Sequence, residues 1–181
     1  VPYKEFIVIE TLKPLPGDTK LFIELDGWMA KLRFSASHLI PDHPKCGRLH
    51  GHTYAVSVRV EGTQAGEFII DFIELKDIVK DVCNRLDHRV LVAENDPRLK
   101  ITEEQGHYTM EILKSCKHYV LPRDDVLLLP INSVSAEDLC KYFLNEISVG
   151  IRGNGPANNI TGLHVRVDEG IGQGAGCNMD L

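Results

Sequence analysis

The run Cys46-Gly-Arg-Leu-His50-Gly-His52 leads directly into Thr53-Tyr-Ala-Val-Ser-Val-Arg-Val-Glu-Gly62, where Tyr54, Val56, Val58 and Val60 alternate with Ala55, Ser57, Arg59 and Glu61. Alternation with a period of two marks a strand with one buried face. If the strand reaches back to His50, then His50 and His52 project to the same side and their imidazoles converge. A zinc ion that does chemistry commonly takes three protein ligands and keeps a fourth position open, so a third ligand has to come from elsewhere. His38 is the candidate. It ends a second alternating run in which Ala30, Leu32, Phe34, Ala36 and His38 share a face. A His-x-His pair alone is also compatible with ordinary surface or core histidines. Cys46 has two readings: a fourth ligand that closes a structural site, or a free thiolate beside an open catalytic one.

Working outward, Leu21–Leu25 and Trp28–Phe34 flank Asp26-Gly27, which predicts a tight hairpin. Glu5–Glu10 is a further strand, followed by a breaker segment with Pro14, Pro16 and Gly17. The segment from Leu39 to Leu49, with Pro41, Pro44 and Gly47, reads as a loop that carries Cys46 towards the histidines. Asp71, with Glu74 three residues on, resembles a capping box; Leu75, Ile78, Val79, Val82 and Leu86 then follow at helical spacing. Ser135 and Asp138 open a second helix whose face is Ala136, Leu139, Cys140, Phe143 and Ile147, ending before Gly150. Between the helices, Thr109–Val120 is compatible with a helix and Val126–Leu129 with a short strand. Leu163, Val165 and Val167 alternate in a last strand, Ile160–Glu169, and the glycine-rich tail Gly170–Gly176 reads as a loop. Strands, helices and a final strand make an α+β arrangement.

With 181 residues and 43% hydrophobic content, one domain with a sizeable core is expected. A formal charge of -6 argues against a nucleic-acid surface and favours small molecules or protein partners. No apolar run is long enough to span a bilayer, so the expectation is a soluble, cytoplasmic protein. Five cysteines imply no disulfide framework, and Cys83 and Cys140 fall on apolar helical faces.

Four motifs, Lys45–His52, Ile70–Lys76, Arg85–His88 and the late Glu169 with Gly176-Cys177, occur in an order that resembles the 6-pyruvoyltetrahydropterin synthase superfamily, most closely its 6-carboxytetrahydropterin synthase branch. The resemblance spans about 32–91 and 132–177. It leaves an N-terminal extension (about 1–27) and an insertion (about 92–130), expected at the periphery, as additions to a single domain. It implies a tunnelling fold: an antiparallel sheet with two helices on one face, closing into a barrel as a trimer, with two trimers stacked as a homo-hexamer. It also implies that His38, His50 and His52 bind Zn2+, that Cys46, Asp87 and His88 handle protons, and that Glu169 anchors a pterin. The implied reaction converts 7,8-dihydroneopterin triphosphate to 6-carboxy-5,6,7,8-tetrahydropterin, towards queuosine- and archaeosine-type 7-deazaguanines. A 6-pyruvoyltetrahydropterin synthase and a non-catalytic zinc- and pterin-binding module are the alternatives. The chain departs from the family in spacing Glu169 and Gly176-Cys177 more widely, and Asp168 is a rival carboxylate. His43, His107, His118 and His164 fall outside the motifs and read as surface or packing residues.

Overall fold

Strand β3, His50–Gly62, is the longest strand of the sheet and the one around which the others are placed. The computed structural model describes residues 21–155 and 157–181, so the strand expected at Glu5–Glu10 lies outside the described residues. Strands β1 (Leu21–Leu25) and β2 (Arg33–His38) pair antiparallel with β3 along one edge. Strand β9 (Ile160–Gly170) pairs with its other edge, and β10 (Gln173–Asp180) follows beyond β9. On the far side of β2 the sheet continues through two parallel pairings, β4 (Arg89–Ala93) and β8 (Val126–Leu129). The strand order is β10-β9-β3-β2-β4-β8, with β1 attached to β3.

Helices α1 (Phe72–Leu86) and α2 (Ala136–Gly153) start where the capping signals stand. The Asp71 carboxylate accepts from the amides of Ile73 and Glu74, and the Ser135 hydroxyl accepts from that of Asp138. Leu75, Val79, Leu86, Leu139, Phe143 and Ile147 are buried beneath them, against Tyr54, Val56, Val58 and Val60 of β3. Phe34 lies between two rings, 4.7 Å from Tyr54 and 5.5 Å from Phe143, centroid to centroid. Both helices therefore cover the face to which the histidines belong.

Four local expectations are corrected. Asp26-Gly27 does not form a hairpin, because β1 and β2 both pair with β3 and are joined by a helical turn. The Asp26 carboxylate accepts from the Met29 amide at 2.8 Å, and its carbonyl accepts from Ala30 at 2.8 Å. Helix α2 passes through Gly150, whose missing side chain admits Ile78 of α1; a Cβ there would lie 2.6 Å from the Ile78 Cγ2. The residues from 109 to 120 are not helical. They belong to a separate sheet of β5 (Leu99–Glu104), β6 (His107–Ile112) and β7 (Lys117–Pro122), in which Tyr108, Met110 and Ile112 follow a period of two. The glycine-rich tail is strand β10 after a turn at Gly170–Gly172, and a Cβ on Gly174 would collide with Val167 and Asp168. Among the described residues, no helix is long and apolar enough to cross a membrane.

Candidate active site

His38 and His50 are direct partners across the β2–β3 pair, and His52 faces Ala36 two pairs further on. Opposed residues in an antiparallel ladder point to the same side, so register alone gathers three imidazoles at one end of the sheet. Their ring centroids are 4.5 Å (His38–His50), 5.2 Å (His38–His52) and 5.0 Å (His50–His52) apart. One nitrogen from each falls within 4.8 Å of the others. Two of the rings are oriented from behind. His38 Nδ1–H donates to the Val134 carbonyl at 2.6 Å, and His50 Nδ1–H donates to that of Arg48 at 2.7 Å. Such a bond assigns the tautomer and leaves Nε2 as the free lone pair.

Burial pushes the His38 pKa down to about 4, the Val134 bond opposing and the neighbouring His50 and His52 reinforcing the shift. The ring is thus neutral near pH 7. Among the described residues, its Nε2 is buried without a hydrogen-bond partner. A buried polar atom with no partner is costly, and a metal ion would satisfy it. Three imidazole nitrogen donors fit a first-row divalent ion such as zinc. Cys46 is not in this donor set among the described residues.

A cavity of about 450 Å³ opens beside the imidazoles and is lined by His38, His50, Cys46, Glu137, Glu169 and Gln173, among others. Cys46 reaches it on a knotted loop. Its carbonyl accepts from the Ile40 amide at 2.8 Å, and its own amide donates to His43 Nδ1 at 2.9 Å. His43, read from sequence as a surface or packing residue, therefore belongs to the wall of the cavity. Burial raises the Glu169 pKa, with Glu137 adding to the rise and His52 and His50 opposing it. Asp168 points to the opposite face, where it accepts from Trp28 Nε1 at 3.1 Å and pairs with Arg166 at 2.8 Å. Of the two rival carboxylates, Glu169 alone meets the cavity.

Glu137 and Gln173 were not anticipated. Glu137 lies in the first turn of a helix, where an acidic residue already has a dipole role, and Gln173 stands in the segment read as a loop. Asp87 and His88 are not among the cavity-lining residues. The Asp87 carboxylate accepts from the Ser35 amide at 2.7 Å and from His88 Nδ1–H at 2.8 Å, and the His88 side chain is 84% exposed. That backbone bond, with the His88 contact, lowers the Asp87 pKa. Two other depressions, of about 440 Å³ on the sheet face away from the helices and about 1000 Å³ between the outer surfaces of the helices, contain no comparable set of donors among the described residues.

A helix-covered sheet that ends in three converging imidazoles, with a thiol and a carboxylate on the same cavity, defines an enzyme class with an open, metal-capable site. Residues 29–179 match the family model described as 6-pyruvoyl tetrahydropterin synthase, and the chain belongs to that family. A Methanocaldococcus jannaschii protein named "Putative 6-carboxy-5,6,7,8-tetrahydropterin synthase" is 42% identical over 157 residues, covering 86% of this chain and 94% of its own. A Pyrococcus horikoshii protein of the same name is 34% identical over 139 residues, covering 75% of this chain and 79% of its own. The crystal structure of 6-pyruvoyl tetrahydropterin synthase from Plasmodium vivax superposes with a TM-score of 0.83 at 26% identity, covering 91% of this chain and all of that one (100%). The fold is the tunnelling fold of this family.

Proposed function

We propose that this chain is a cytoplasmic, zinc-dependent lyase that converts 7,8-dihydroneopterin triphosphate to 6-carboxy-5,6,7,8-tetrahydropterin, releasing acetaldehyde and triphosphate, on the route to queuosine- and archaeosine-type 7-deazaguanines. The carrying observation is that Cys46 and Glu169 open on the same cavity as His38 and His50. The names of the Methanocaldococcus and Pyrococcus relatives support the choice of product.

His38, His50 and His52 hold the ion through nitrogens left free by their Nδ1 bonds or pointing into the same gap. When bound, zinc supplies Lewis acidity to the hydroxyls of the substrate side chain. Glu169, as carboxylate, accepts the two parallel N–H groups of the amino-pyrimidinone edge and so fixes the pterin ring. Cys46, as thiolate, takes a proton from the side chain, which must come within about 3 Å of the sulfur or of one intervening water. Asp87 and His88 relay protons from outside the cavity of their own chain, so their part in the reaction calls for a second copy. A trimer closing the sheet into a barrel, and two trimers forming a homo-hexamer, would provide one. The catalytic domain is single, with 1–27 and about 92–130 as additions, the second of which also supplies β8 to the main sheet; the family match beginning at residue 29 supports the first boundary.

Product analysis tests the reaction. Zinc-loaded protein given 7,8-dihydroneopterin triphosphate should yield acetaldehyde, triphosphate and the 6-carboxy product. The Plasmodium structures favour 6-pyruvoyltetrahydropterin synthesis as the second reading. A 6-pyruvoyl product without acetaldehyde would establish it, and tight pterin binding with no turnover would leave a binding module.

A further inference from the structure

The β5–β6–β7 sheet, together with the turn Asp96–Arg98 that leads into β5, grips the loop that carries Cys46 on both sides of the cysteine. On the N-terminal side, Arg98 Nη1 donates to the carbonyl of buried Pro41 at 2.9 Å. The guanidinium has no freedom to drift, because its other edge is forked onto Asp96: Nε to Oδ1 at 2.8 Å and Nη2 to Oδ2 at 2.7 Å. The Asp96 side chain is 1% exposed, and it also accepts from the Arg98 amide at 3.0 Å. On the C-terminal side, Lys117 Nζ donates to the Gly47 carbonyl and the Leu49 amide donates to the Tyr119 hydroxyl, each at 3.4 Å. Between the two grips, Leu39 and Leu49 share a small apolar void with Leu99 and Met110. The loop itself is tight: Asp42 has φ +65°, and a Cβ on Gly47 would lie 2.6 Å from the His43 carbonyl.

A buried carboxylate is stable only when it is fully paired, and a bidentate arginine is the partner that also keeps a donor free in a fixed direction. Asp96 and Arg98 thus act as a bracket in the turn that enters the added sheet, tied to it through Leu99 and Leu113, whose amides donate to the Asp96 and Arg98 carbonyls. We infer that Arg98, braced by Asp96, is a positioning residue for Cys46, and that the β5–β6–β7 sheet is the buttress that holds the thiol at a set place in the cavity. The catalytic half of this inference rests on the reading of Cys46 as the base. The mechanical half does not.

The test uses the full zinc-loaded chain in two variants. Arg98→Lys keeps a charge partner for Asp96 but cannot both fork and reach Pro41. The double variant Asp96→Asn/Arg98→Met removes the buried charge and the bracket together, so that a folding failure in one is checked by the other. Three readouts are taken: hydrogen exchange at the Ile40 and Gly47 amides, which close the loop; the alkylation rate of Cys46 by iodoacetamide, resolved from exposed Cys116 by peptide mass mapping; and steady-state kinetics. Expected are at least tenfold faster exchange, a severalfold change in Cys46 alkylation, and a kcat lowered roughly 10- to 100-fold with KM and zinc content held, as a misplacement near 1 Å produces. Wild-type exchange and alkylation in both folded variants would overturn the buttress. Faster exchange with unchanged kcat would overturn the positioning role. Full turnover by Cys46→Ala would instead remove the base itself, leaving the exchange result to decide the buttress.

Discussion

The Val134 carbonyl holds His38 Nδ1–H, so the only nitrogen that His38 can offer is the one pointing at His50 and His52. Replacing His50 by alanine removes one of three donors. The variant should fold and lose its zinc, and elemental analysis after dialysis checks this. For metal-free protein the His38 shift has a defined sign. A histidine lowered from 6.5 to about 4 takes up fewer protons folded than unfolded, so its contribution is complete above about pH 6.5 and is lost as pH falls towards 4. The difference is on the order of 3 kcal/mol, and urea midpoints of metal-free protein between those two pH values should show it, with the slope reduced in His38→Gln. Glu169 differs, since burial raises its pKa and so favours the neutral acid, which is a poorer acceptor. Glu169→Gln should raise KM for the pterin about 10- to 100-fold, the range given by roughly 1.5–3 kcal/mol for a hydrogen bond to a charged group. An unchanged KM would move the anchor elsewhere, with Glu137 the nearest alternative on the cavity wall.

Among the elements, the turn between β1 and β2 shows how local signals are outcompeted. Asp-Gly between two apolar runs favours a hairpin, yet here both runs gain more by laddering on β3, whose Val58 and Val60 face Leu25 and Ile23. Gly27 is buried against the Val56 backbone, and a Cβ there would lie 2.6 Å from the Val56 nitrogen and carbonyl carbon. Backbone cannot step aside as a side-chain tip can. Gly27→Ala should therefore destabilise the protein by about 1–3 kcal/mol or more, read as a shift of the urea midpoint without a change of slope. The same reasoning covers β10: its glycines suggested a loop, but Gly174 is a site of close strand approach rather than a break.

At the scale of the whole molecule, β10 and β8 end the sheet among the described residues, and within those residues each presents an unpaired row of backbone groups on its outer side. The face away from the helices is polar and internally paired, with Arg59 and His164 on Glu61 and Arg166 on Asp168. Exposed edges beside a bare polar face suit closure by further copies, and sedimentation velocity should give a trimer or hexamer of the 20.3 kDa chain. A monomer at micromolar concentration would count against the barrel and against a relay from a second chain.

The sequence by itself determined the parts that depend on short-range periodicity. The alternation through Phe34 and Tyr54 set the faces of β2 and β3, and with them the side to which His38, His50 and His52 project, because a strand's pleat leaves its side chains no other side to choose. Asp71 and Ser135 likewise marked their helices, since capping is satisfied within four residues. Only the tertiary structure decided what runs across long separations: that β1 ladders on β3, that the β2–β3 register sets His38 opposite His50, that Gly150 yields to Ile78, and that 109–120 pairs as strands. The grip of Arg98 on Pro41 joins residues 57 apart in the chain, and contacts of that kind have no periodicity to betray them; they exist because buried donors and acceptors must find partners once the layers have closed.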